Sequence, residues 1–103
     1  MQDVFVVTAL EWDGDWILRA QVGEADTAAN GWKSPLTVVG LDQLMALIER
    51  PNTIVTSKTR SGTAGPHLMV HVGPKGERTI RPIPVPGVPD TINGLDAILN
   101  VIR

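Results

Sequence analysis

The apolar positions run first with the period of a strand, then with that of a helix, and then begin again. Val4 to Trp12 is dense in β-branched and aromatic residues and predicts a strand. Asp13-Gly14 supplies a turn that accepts positive φ, and Trp16 to Val22 predicts the returning strand. With Asp13-Gly14-Asp15 as the loop, Trp12 and Trp16 face each other across the hairpin and stack. Residues 23 to 35 are small and polar and predict a loop carrying Trp32, and Leu36 to Val39 predicts a short third strand. Leu41, Leu44, Met45 and Ile48 then recur at i, i+3, i+4 and i+7, which predicts an amphipathic helix. Asp42 in its first turn and Arg50 near its end both favour the helix dipole, and Pro51 stops it.

The second half restarts the series. Thr53 to Thr59 predicts a strand, followed by a glycine-containing loop over Arg60 to Pro66. His67 to Val72 and Arg78 to Arg81 predict two strands around the turn Gly73-Pro74-Lys75-Gly76. Pro82, Pro84, Pro86 and Pro89 make an extended, semi-rigid segment. Asp90 is placed to cap a last helix over Thr91 to Ile102, with Leu95, Ile98, Leu99 and Ile102 on one face. Gly40-Leu41-Asp42 matches Gly94-Leu95-Asp96, Val6-Val7-Thr8 echoes Ile54-Val55-Thr56, and Gln21-Val22-Gly23 echoes His71-Val72-Gly73. The expected fold is therefore α+β: antiparallel sheet or sheets with two amphipathic helices, arranged as a βββα-βββα pseudo-duplication of halves 1–51 and 52–103. Chance likeness between two βββα elements is the alternative.

Composition narrows the class. One hundred and three residues, 43% hydrophobic and 19% charged, suit one domain with its own core and exclude the regime of disorder. No cysteine is present, so disulfide and thiolate chemistry are excluded. The opening Met1-Gln2-Asp3 lacks the basic, then apolar, pattern of a secretory signal, and no apolar run approaches the ~20 residues of a membrane span. A cytoplasmic location is expected, with no membrane partner. Net charge is −2, but residues 1–51 hold eight acids and three bases while residues 52–103 hold three acids and six bases. Lys58, Arg60, Lys75, Arg78 and Arg81 thus form a candidate basic face for nucleic acid or an acidic protein. Base stacking has little to draw on, with one Phe, no Tyr and all three Trp in the acidic half.

Candidate chemistry is thin. His67 and His71 share one face of a strand but lie about 13 Å apart at 3.3 Å per residue, too far to share an ion. No metal site and no cofactor site is expected. Ser34, Ser57 and Ser61 sit in no nucleophile elbow. Lys58 to Pro66 has the composition of a phosphate loop without its order, since a phosphate-loop lysine follows the second glycine and opens a helix. Glu11, Asp13 and Asp15 cluster at a turn, where solvation keeps carboxylates ordinary. Trp12, Trp16 and Trp32 are candidate contact residues, because tryptophan dominates binding hot spots, and Trp32 in its polar loop is the least suited to a core.

The stretch Ser34 to Glu77 resembles small bacterial immunity proteins that neutralise polymorphic toxins. The resemblance lies in a Leu-Asp-x-Leu helix before a strand, and then the strand and turn Leu68 to Gly73. It covers less than half of the chain and assigns no functional residue; an uncharacterised phage accessory protein would share these features. The leading expectation is a small non-enzymatic protein that acts by docking to another protein. The alternatives are a nucleic-acid-associated accessory protein using the basic half, and an enzyme whose cryptic site holds His67 or His71. Homodimers are a further expectation, since an open sheet edge is a pairing template.

Overall fold

The computed structural model describes residues 2–14, 16–26, 28–29, 31–58, 65–83 and 100–101. Two long strands lie at its centre, β1 (Asp3–Asp13) and β2 (Trp16–Asp26), paired antiparallel around Gly14 at φ +59°. Each has two short strands end to end along its outer edge. On β2 these are β3 (Gly31–Trp32) and β4 (Thr37–Gly40), both antiparallel. On β1 they are β5 (Thr53–Ser57) and β8 (Asn100–Val101), both parallel to it. A separate antiparallel pair, β6 (Leu68–Val72) and β7 (Arg78–Pro82), forms a second sheet.

β1 is central because its sequence is apolar on both faces: Val6, Val7, Ala9 and Leu10 are all buried. Thr8 is an extra residue in its ladder, and Leu18 is the extra residue in β2. These two bulges keep Val7 and Leu10 facing Val22, Ala20 and Ile17 in one core. Helix α1 (Leu41–Glu49) and the β6–β7 hairpin cover that face, adding Leu41, Leu44, Met45, Leu68 and Ile80 to the same core as Val55 of β5. The helix starts at Gly40, whose N–H donates to Gln43 Oε1 at 3.1 Å. It ends at Arg50, whose N–H returns to the Leu47 carbonyl, and Pro51 follows. Among the described residues no helix is long and apolar enough to cross a membrane.

This architecture corrects the expected fold. The sheet is mixed rather than antiparallel, and α1 is the one helix among the described residues. Most of the second expected helix lies outside the described residues, but its end at Asn100–Val101 is a strand beside Ala9 and Leu10. Nor do the halves repeat in topology. β1 pairs with β2, whereas its counterpart β5 leaves β6 and pairs with β1 instead. The echoes between the halves reflect the shared β-propensity of Val, Ile and Thr, which sets strand existence and not strand partner. Two local expectations also change. Residues 23–26 extend β2 rather than begin a loop, and Gly31–Trp32 is paired with it. Trp12 sits opposite Ile17 while Trp16 sits opposite Asp13, because the ladder closes one residue nearer the turn, at Asp13 against Trp16, so the two indoles are not a facing pair. The segment from Pro84 to Pro89 and the Gly94 repeat lie outside the described residues.

Candidate docking surface

Strand alternation assigns the face opposite α1. Val22 belongs to the core, so its neighbour Gly23, paired with Val6, points the other way. The chain after β2 folds back over that face. Asp26 Oδ1 accepts the N–H groups of Ala28 and Ala29 at 3.2 and 3.1 Å, Lys33 N–H donates to the Glu24 carbonyl at 2.8 Å, and Glu24 N–H donates to Ser34 Oγ at 3.1 Å. These bonds lay Trp32 and Leu36 directly on Gly23. A Cβ built there would meet Trp32 Cε3, Trp32 Cζ3 and Leu36 Cδ2 at 3.0 Å, so the side chains lie as close as the missing Cβ allows.

Lys58 completes the arrangement. Its N–H donates to the Val7 carbonyl at 3.0 Å, extending the β5 ladder by one bond. Its Nζ stands 5.4 Å from the centroid of the Trp32 ring, at cation–π distance. No carboxylate among the described residues lies within 4 Å of it. The rim is polar and paired: Arg19 makes a two-pronged bond to Glu11 directly across the ladder, and Lys33 lies 3.9 Å from Glu24. Arg19's hydrogen bonds hold the Glu11 carboxyl below its ordinary value.

Trp32, Leu36 and Val38 are exposed by 40 to 45% on this side of the sheet, and Trp16 and Leu18 are as exposed near the start of α1. Trp16 and Leu18 line a groove of about 720 Å³ with Gly40, Leu41 and Met45 at the start of α1. Sequence reasoning missed Leu36, Val38, Leu18 and Gly23. Gly23 carried the available signal, a glycine inside a strand, which marks close approach of another part of the chain.

The other candidates are dispersed. Trp12 is half-buried and packs against the core. Arg60 lies outside the described residues. Arg78 is hydrogen-bonded to Glu49 of α1, and Arg81 sits in β7 opposite Met69, while Lys58 is on the far face of the main sheet. The basic residues of the second half are therefore not gathered on one described face. His67 and His71 flank Met69 on one face of β6 and its approach, as the strand spacing requires. His67 borders a groove of about 270 Å³ whose only other polar side chain is Thr53. No group of three His, Asp or Glu with metal-binding geometry occurs among the described residues. Comparison with protein-family models, curated proteins and solved structures returned no match, so the functional reading rests on this chain's own surface.

Proposed function

We propose that the protein is a non-enzymatic docking protein of the cytoplasm that binds another protein through the face built on Gly23. The observation that carries this reading is Trp32, packed on Gly23 with Lys58 Nζ 5.4 Å from its ring centroid and still 42% exposed. A tryptophan fixed in place loses little side-chain entropy on binding, and such residues dominate interface energetics. Lys58 sets the partner's chemistry. It stands beside apolar surface with no described carboxylate of its own, so the complementary surface is apolar with one acidic side chain placed to meet it. The resemblance of Ser34 to Glu77 to immunity proteins makes a toxin domain with such a surface the partner class.

The test is affinity capture from nuclease-treated host lysate, comparing the wild type with a Trp32→Ala, Lys58→Glu variant of matching circular dichroism. The wild type is expected to retain one partner in near-equal amount, and the variant to lose it at least tenfold. Equal retention by the folded variant, or no partner on the wild type, overturns the reading.

A further inference from the structure

We infer that β4 is a self-pairing edge, through which two copies of the chain join their main sheets into one. The observation is the open backbone edge of β4, which adjoins the Trp32 surface. β4 pairs with β2 on one side, and no described residue pairs with its other side, where only the Gly40 N–H is engaged, by Gln43. Proteins normally protect such an edge with charge, proline or a bulge. From Leu36 to Leu41 this one is Leu-Thr-Val-Val-Gly-Leu, without a charge, and both Leu36 and Val38 are exposed.

A second copy suits the edge better than a foreign strand because the edge complements itself. Two antiparallel copies in one sheet are related by a two-fold axis perpendicular to it, which keeps each side chain on its own face. Paired residues must then share a face, so the two residue numbers of each pair sum to an even number. Centring on Val38 places Val38 against the partner's Val38, and Thr37 against the partner's Val39. Leu36 then meets the partner's Gly40, where a Cβ would find open space, so the leucine has room. The result is a closed pair, with Leu36 and Val38 of both copies in one apolar stripe. Five paired residues per copy, Leu36 to Gly40, make a small interface, so the dissociation constant is expected at about the micromolar level.

Sedimentation equilibrium tests this directly. The wild-type mass is expected to climb with concentration from the 11.1 kDa of one chain to twice that value and stop. Val38→Lys and Val38→Glu each place like charges against each other across the axis, and each is expected to remain a single chain with native circular dichroism. Mixed in equal amounts, they are expected to recover the two-chain mass, because opposite charges then meet. A wild type that stays single at high micromolar concentration, growth past two chains, or variants that pair as well as the wild type would each overturn the inference. The Trp32→Ala, Lys58→Glu variant leaves β4 intact and is expected to reach the two-chain mass as the wild type does, which keeps this result distinct from the Trp32 reading.

Discussion

Arg19 reaches Glu11 with both prongs of its guanidinium because the Leu18 bulge brings them directly across the ladder. The hydrogen bonds, and then the Coulomb attraction, favour ionised Glu11 and lower its pKa from the ordinary 4.5. A folded pKa below the unfolded one means the pair's stabilisation is complete above the unfolded value and is lost as pH falls through the folded value. Both side chains meet solvent, so a melting curve would barely register the pair. A carboxyl-carbon NMR titration reads it cleanly. Glu11 is expected to titrate below the usual glutamate range, and Arg19→Gln should return it towards 4.5. An unchanged midpoint in the variant would mean the pair is absent in solution. Exposure of Trp32 follows from its polar surroundings, whereas the partners of Trp12 and Trp16 depend on where the turn closes the ladder, which the hydrophobic pattern does not mark.

At the scale of elements, α1 was legible to within a residue, because four apolar positions at helical spacing bounded by Gly40 and Pro51 admit few other readings. The existence of β1, β2, β4, β5, β6 and β7 was equally legible. Strand direction was not, since an apolar run has the same pattern whether its neighbour is parallel or antiparallel. The turn from α1 to β5 fixes the direction physically. Asn52 O accepts the Asp3 N–H at 2.9 Å, and Arg50 Nη2 donates to Asp3 Oδ2 at 2.9 Å, which ties the end of the helix to the start of β1. Asn52 carries this turn at φ +55°, a conformation that asparagine tolerates and alanine resists. Chemical denaturation should therefore find Asn52→Ala destabilised by about 1 kcal/mol. Asn52→Gly, which adopts that φ freely, should stay close to the wild type. Equal losses in both variants would assign the effect to the asparagine side chain instead of the backbone.

The whole molecule is organised by one core that crosses its two sheets. Leu68 and Ile80 come from the β6–β7 hairpin, yet they are 3% and 2% exposed in the cluster that holds Val7, Leu10 and Leu44. This union was hidden in the sequence, where the hairpin read as part of a second βββα unit. A repeat would have paired β6 with β5, whereas the hairpin instead covers the core with α1. All three tryptophans lie in the main sheet, in β1, β2 and β3, and none lies in the hairpin. Tryptophan emission therefore reports main-sheet unfolding alone. Ile80→Ala removes buried hairpin volume and is expected to cost about 2–5 kcal/mol. That is a large share of the roughly 5–15 kcal/mol stability of a small domain. With a shared core, this loss must move the tryptophan-detected midpoint, and far-ultraviolet circular dichroism must move with it in a single transition. Val72→Ala, on the same hairpin but 58% exposed, should shift neither by more than about 0.5 kcal/mol. If Ile80→Ala left the tryptophan transition in place and moved only the circular dichroism, the hairpin would be a separately melting unit, and the single core would be refuted.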